Sequence, residues 1–401
     1  LNEPEPRDRE SPPLPINPPQ TREINLRDRP ARPAALRHTR MVVTVRELDD
    51  LLREDVRREL EQLHHALPVY AIDINDPFLS SRLFGTGWDD PQMAGYACWY
   101  NLQQIFSWLA AMGWQVILHT GVTTRSDLLQ RFLQLAANHF PPATLNSWRF
   151  VWHWSPQASE AARQAAWRQQ RGVLHRLLPQ PQLGIWHRFA PGDPGNDPLF
   201  HSPLLAEADF LACQADANEQ LDLAQADSRR LASSEHYPLH KLRQIHSALR
   251  QRQLNLPLWL LSWNTLTGDT RDTNGRFFRG ALLMDNLLGV ADQVWLAGFW
   301  LNSGLQGEAR ANGKLDTSSL ALHYLQRPVY WVLWLWRRLR GEILVHDKNL
   351  LLLHHQGHYQ LLLRNTVVYN PWLTSEAAFI QRFSQPYSVR LQGLDGSWHI
   401  K

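Results

Sequence analysis

From residue 41 onward the chain alternates between short, unbroken apolar runs and longer segments whose apolar residues recur every three or four positions. The stretch MVVTVRELDDLLREDVRRELEQLHHAL ends in an amphipathic helix and is followed by the apolar strand PVYAIDI. The change of period then repeats: YNLQQIFSWLAAMG leads to WQVILHTG, RSDLLQRFLQLAANHF to WRFVWHW, and SEAARQAAWRQQRGVLHRLL to QLGIWHRF. After these, ADFLACQAD reads as a strand, YPLHKLRQIHSALRQRQ as a helix, LPLWLLSWN as a strand, RFFRGALLMDNLLGV as a helix and DQVWLAGFW as a strand. Apolar strands alternating with helices predict a parallel sheet covered on both faces. About eight such units across roughly 300 residues predict a closed barrel rather than an open sheet. The expected fold class is α/β, a (β/α)8 TIM barrel over residues 39–340, with a small C-terminal antiparallel β domain.

The two ends of the chain break this pattern. Residues 1–38 hold nine of the 26 prolines amid alternating Arg and Asp/Glu, which predicts an N-terminal arm or linker in which only REINL can form a strand. Residues 341–401 contain strand-length pieces such as EILVHDKNLLLLHHQGHYQLLLRN and YSVRLQGLDG, separated by turn signals. They predict a β-sandwich-like unit, completed by REINL, while residues 1–20 act as a spacer or as a strand that engages a protein partner.

Composition narrows the classes. The chain is 44% hydrophobic and 20% charged, as globular domains are, and no apolar run reaches the roughly 18–20 residues of a membrane span. Its 41 basic and 38 acidic residues are interspersed, which argues against nucleic acid as a partner, because phosphate tracking needs a concentrated basic surface. Two cysteines, Cys98 and Cys213, make neither a disulfide framework nor a metal site, and no cofactor or metal is expected. No charged-then-apolar leader opens the chain at Leu1. That leaves the location open, with a periplasmic or extracytoplasmic setting placed slightly ahead of a cytoplasmic one. The 18 tryptophans stand out, since aromatic faces stack on sugar C–H surfaces. Trp331, Trp334 and Trp336, however, fall at helical spacing and are expected in the core.

Chemistry in such barrels gathers where strands end, at the carboxyl-terminal face. The positions there are Asp73 to Asp76, His119, Trp152 to Ser155, Trp186 and His187, Gln214 to Asp216, Ser262 to Asn264, and Trp300. They are rich in Trp, His, Asn and Gln and poor in carboxylates. His119, His153 and His187 are expected to act as hydrogen-bonding rings rather than metal ligands.

From about residue 41 to the C-terminus, the order of segments resembles glycoside hydrolase family 39, the retaining β-xylosidases and their exopolysaccharide-active relatives. The pieces that carry the resemblance are YNLQQIFSWLAAMGWQVIL, LPLWLLSWNT, RDTNGRFFRGALLMDNLL with its Asp272-Thr273 pair, VWLAGFW and LQRPVYWVLWLWRRL. The family's acid/base glutamate lies in a segment of the type Trp-x-Phe-Glu-Val-Trp-Asn-Glu-Pro. Trp148, Phe150 and Pro156 match it, which sets Trp154 at the asparagine and Ser155 at the glutamate. In the family's Thr-Glu-Trp-Asn motif, Trp263 and Asn264 are kept, Leu261 replaces the threonine and Ser262 the nucleophilic glutamate. Gln214 and Asp216 stand where the family has a histidine and a tyrosine.

Retaining hydrolysis needs one carboxyl group as nucleophile and one as proton donor, and a serine hydroxyl without an activating base is neither. The resemblance with both glutamates replaced implies a degenerate, non-catalytic glycosidase-like protein. It would bind a carbohydrate or polysaccharide through Trp152, His153, Trp154, Trp186, Gln214, Trp263, Asn264 and Trp300, or scaffold a polysaccharide synthesis or secretion system. Two alternatives stand beside this. One is an active hydrolase with relocated carboxylates, for which Asp73 and Asp216 are the candidates and Glu308 lies in a nearby loop; the other is a protein-interaction scaffold.

Overall fold

The computed structural model describes residues 17–30, 32–85, 96–190, 192–216, 219, 236–264, 280–299, 321–322, 325–326, 328–367, 369 and 374–394. Two strands, β1 (Gln20–Asn25) and the two-residue β2 (Ala34–Ala35), precede the eight of the barrel. These are β3 (Arg40–Val45), β4 (Val69–Ile74), β5 (Gln115–Gly121), β6 (Trp148–His153), β7 (Leu183–His187), β8 (Leu211–Asp216), β9 (Leu258–Asn264) and β10 (Leu296–Phe299). They close into one parallel barrel in the order β10-β3-β4-β5-β6-β7-β8-β9. The fold read from the alternation of periods is therefore the fold observed, a (β/α)8 barrel accompanied by an antiparallel sheet.

Alternation along each strand decides which residues fill the barrel and which meet the helices. Val42, Ala71, Ile117, Val151, Ala212, Leu261 and Leu296 pack together as one buried interior layer. Their strand neighbours point outward: Trp148 stacks on Phe132 at 5.7 Å and Trp152 meets Trp167 at 5.6 Å, both partners lying on surrounding helices. Those helices begin where the sequence supplies caps and charges. Ser159 accepts the Ala162 N–H at 3.2 Å ahead of the helix Glu160–Leu177, and Glu54 and Asp55 occupy the first turn of the helix Glu54–Ala66, where the dipole favours them. That helix buries Val56, Leu60 and Leu63 on one face.

In the helix Pro328–Arg338 the tryptophans do not share one fate. Trp336 is buried at 1% exposure as expected, but Trp331 is 50% exposed, so the expectation of a common core role fails for it. The two residues stand five apart, 500° around the helix, which turns them to different faces.

The described residues up to Leu36 and from Leu339 onward form a second compact unit. Strands β13 (Glu342–His346), β14 (Leu350–His355) and β15 (His358–Leu363) make an antiparallel sheet in the order β15-β14-β13-β2; β11 (Ala321–Leu322) and β12 (Leu325–Gln326) form a separate minimal pair. REINL lies in and just after β1, which pairs with β16 (Tyr387–Gln392) in parallel rather than antiparallel fashion. Ile24 and Leu26 pack there against Leu350 and Leu352. A helix, Glu376–Phe383, occupies a stretch that the sequence reading left without one. Residues Asn17–Gln20 are also tied down: the Asn17 amide donates to the Arg382 and Ser384 carbonyls at 2.7 Å each, so this part of the expected spacer is integral to the unit.

Gly184 in β7 shows how closely the interior is filled. A Cβ there would stand 2.1 Å from the Phe210 ring, and that ring lies flat against Trp259 at 3.6 Å and cannot swing aside. Gly184→Ala is expected to lower the unfolding free energy by about 2 kcal/mol, the usual cost of overpacking. Urea denaturation checks this, and a variant as stable as the parent would show that the stack yields.

Candidate functional site

At the carboxyl end of the barrel the inward column turns polar. Thr44 pairs in register with Asp73, and Gly121 with His153, so inward residues of β3 to β6 meet on one level. Thr44 Oγ1 donates to Asp73 Oδ2 at 3.2 Å, while His119 Nε2 lies 2.6 Å from Asp73 Oδ1. The second nitrogen of the same ring, Nδ1, is 2.6 Å from His153 Nε2. His153 in turn stacks on Trp186 of β7 at 4.4 Å with 22° between the planes. Side chains from five consecutive strands are thus linked in one chain: Thr44, Asp73, His119, His153, Trp186.

The hydrogen-bond logic of this chain is directional. A neutral His119 that donates from Nε2 to the Asp73 carboxylate must accept at Nδ1, so His153 donates from Nε2 and presents a bare Nδ1 at the other end. A charged His119 donates from both nitrogens, and His153 then carries its hydrogen on Nδ1. Either way the end of the chain is His153 Nδ1, which has no partner among the described residues. His119 and His153 both line a cleft of about 360 Å3 together with Asn75, Asp76, Thr120, Thr123 and Arg125. Burial, followed by the nearby His119, depresses the His153 pKa to about 3. At neutral pH this ring is an uncharged hydrogen-bonding group and a poor base.

The other residues singled out from sequence fall in different places. Ser155 follows β6 and donates its hydroxyl to Gln157 Oε1 at 3.3 Å, while its carbonyl accepts from Arg163 at 2.9 Å. His153 is bonded to His119 and not to Ser155, so no Ser-His pair is formed. Ser262 is half-buried on β9, in register with Gln214. Trp152 and Trp154 do not line the mouth: Trp152 is fully buried behind β6 on Trp167, and Trp154 is buried against His187 with Arg163 over its ring at 4.5 Å. Trp263 is likewise fully buried. The outward phase of these positions explains this, since an aromatic two residues from another on a strand shares its face. His187 is held by Asp197 at 2.9 Å, a structural pair; burial pushes the Asp197 carboxyl up, but its hydrogen bonds to His187 and to the Leu199 N–H outweigh that and lower its pKa. The side chains of Asp216 and Asn264, together with Trp300, Glu308 and the Asp272-Thr273 pair, lie outside the described residues.

A second buried cluster went unread. Glu219, beyond β8, accepts from Gln214 at 3.0 Å and from the Tyr237 hydroxyl at 2.6 Å, and it is paired with Lys241, which also donates to the Phe189 carbonyl at 3.2 Å. Both charged side chains are at most 2% exposed. The available signal was Lys241 itself, a cation in the apolar phase of the helix Tyr237–Gln251. Nearby Cys213 is inert, its thiol pushed up to about 12 by burial. Among the described residues no cluster of His, Cys, Asp and Glu has the arrangement of a metal site.

Comparison with known proteins yields no matching family model. The sequence is similar to uncharacterised HTH-type transcriptional regulators of Staphylococcus aureus, in strains COL and MRSA252 among others, at 28% identity over 209 residues. The match takes in 50% of this chain and 28% of the regulator, so the chain spans about a quarter of the length of these relatives. Among solved structures, a monomeric β-xylosidase from Caulobacter crescentus CB15 superposes with a TM-score of 0.66 at 15% identity, covering 94% of this chain and 84% of that one. The family 39 glycoside hydrolase from Xanthomonas axonopodis pv. citri gives 0.63 at 15% identity, covering 88% and 78%. The fold is that of the family 39 glycosidases.

Two predictions follow from these clusters. With a folded pKa of about 3 against an ordinary 6.5, His153 takes up a proton in the unfolded chain before it does so in the folded one. Its contribution to stability is therefore complete above pH 6.5 and is lost as the pH falls toward 3. His153→Gln should flatten the acid limb of the stability curve in that window, measured by urea denaturation at stepped pH; an unchanged limb would show that the ring titrates normally. Lys241→Met leaves the Glu219 charge buried without its cation and should cost about 3 kcal/mol or more in the same assay. Adding Glu219→Gln to that variant should restore part of the loss.

Proposed function

We propose that this chain is a glycosidase-like barrel that recognises a carbohydrate without hydrolysing it, and that it serves as the ligand-sensing part of a longer regulatory protein. The observation that carries the reading is the state of the carboxylates at the barrel mouth. Both retaining and inverting hydrolysis require two carboxyl groups flanking the scissile bond. Asp73 is 1% exposed and committed to Thr44 and His119, and the described cleft beside His153 offers one carboxylate, Asp76. Ser155 and Ser262 hold the positions where the family resemblance calls for glutamates, and neutral His153 does not substitute for a proton donor or a base.

What remains at the mouth suits binding. His153 Nδ1, Thr120, Thr123, Asn75 and Asp76 supply donors and acceptors for hydroxyl groups around a cleft of a size that takes a small sugar. The chain of bonds from Asp73 fixes the ring of His153, and a group fixed before the ligand arrives loses less entropy on binding. The regulatory setting rests on the similarity to HTH-type transcriptional regulators, whose name implies a DNA-binding element beside the matching segment. In such a protein the barrel would report sugar and leave DNA contact to the rest of the chain, in keeping with a net charge of +3 and interspersed signs.

Isothermal titration of the chain with a panel of neutral mono- and oligosaccharides is expected to show binding that His153→Ala weakens by about ten-fold, the loss of one well-placed hydrogen bond. Aryl β-xylosides should release no phenol above the buffer rate. Turnover that disappears in Asp73→Asn or Asp76→Asn would replace this reading with relocated catalysis, and a panel with no binding at all would favour a scaffold.

A further inference from the structure

The opposite end of the barrel also carries a cavity. Tyr70, Gln115, Arg149, Asp209, Trp259 and Trp295 all stand at or just before the first residues of their strands and line a cup of about 350 Å3. Arg149, Val151 and His153 are alternate residues of β6, so the same inward column that ends in His153 begins with Arg149. The cup is aromatic and polar at once. Trp259 lies flat on Phe210, Trp295 is 49% exposed, and Arg40 lies over the Trp295 ring at 3.6 Å and 5.3 Å from the Tyr70 ring.

Three features of the lining point to an occupant. The Trp259 indole N–H and the Gln115 side-chain oxygen are shielded from solvent and have no partner among the described residues, whereas buried polar groups are almost always hydrogen-bonded. Arg149 donates from Nη1 to the Asn146 and Trp148 carbonyls at 2.5 and 3.0 Å, which fixes the guanidinium and leaves its Nε and Nη2 without a described partner. The one carboxylate of the lining, Asp209, is already engaged, its Oδ2 accepting the Leu183 N–H at 2.8 Å, and among the described residues it makes no ion pair with Arg149; Arg40, over the Trp295 ring, adds a second cation beside the lining. A fixed guanidinium with two free donors matches the geometry of a carboxylate or phosphate, and aromatic side chains match the C–H face of a sugar ring.

We propose that this cup is a second binding site, at the barrel end remote from His153, for a small ring-shaped polyol bearing one anionic group. Arg149 takes the anion, Trp295 and Tyr70 take the ring, and Gln115 and the Trp259 N–H take hydroxyls.

The test is titration of the whole chain with glucuronate, glucose 6-phosphate, glucose and inorganic phosphate. At least one anionic sugar should bind, about ten-fold or more tightly than glucose and than phosphate alone. Arg149→Gln should weaken it by about ten-fold or more, and Trp295→Ala, which removes an exposed side chain and leaves folding intact by circular dichroism, should weaken it as well. His153→Ala should leave this binding unchanged, which separates the cup from the mouth. No binding by either anionic sugar, glucose bound by His153→Ala as tightly as the anionic sugar, or binding lost in His153→Ala and kept in Trp295→Ala would each overturn the proposal. Preference for glucuronate over glucose 6-phosphate, or the reverse, identifies which anion the guanidinium takes.

Discussion

A carboxylate sealed inside a barrel imposes conditions on everything around it. Asp73 is 1% exposed, and an ionised carboxyl in such a place is tolerated only when hydrogen bonds replace its lost water. The nearest inward positions on the flanking strands supply them, Thr44 from one side and His119 from the other. Committing one imidazole nitrogen to Asp73 fixes the orientation of His119, which fixes the partner of His153, which sets the plane on which Trp186 stacks. The geometry of the mouth descends from the need to satisfy one buried charge.

Between the two ends of the barrel lies an apolar plug. Among the described residues, Val42, Ala71, Ile117, Val151, Ala212, Leu261 and Leu296 form an apolar layer, and Val151 stands between His153 and Arg149 on the same face of β6. The interior therefore reads in three tiers along the axis: amides, indoles and a guanidinium, then aliphatics, then imidazoles and a carboxylate. Filled tiers of this kind are how such barrels keep a packed core and still present chemistry at their ends. Strand alternation makes the arrangement economical, because one inward column places residues in all three tiers.

The fold was legible because it depends on periodicity, a signal that every residue of a segment shares. Every barrel strand that the alternation of periods marked out is present. The site was only partly legible. Asp73, His119 and His153 were each picked out as lying at strand ends, yet their connection was not, because it depends on diagonal neighbours on adjacent strands, 46 and 34 positions apart in sequence. The tryptophans misled in the other direction. WRFVWHW offers three indoles, but alternate positions share a face, so Trp148 and Trp152 went together to the helices and the histidine between Trp152 and Trp154 turned inward. Glu219 and Lys241 escaped notice because neither marks a strand end within a motif, and a buried ion pair is visible only once its two halves have been brought together.

The pairing of β1 with β16 sets an order of events during synthesis. Glu23 and Arg390, bonded across these strands, are separated by 367 positions. A ribosome must release the residues between them before Gln20–Asn25 finds its neighbour, while the β strands of the barrel, each adjacent to the next in sequence, can associate as they emerge. Among the described strands, the earliest in sequence is one of the last to be placed. Until then Ile24 and Leu26 travel without the leucines that will cover them.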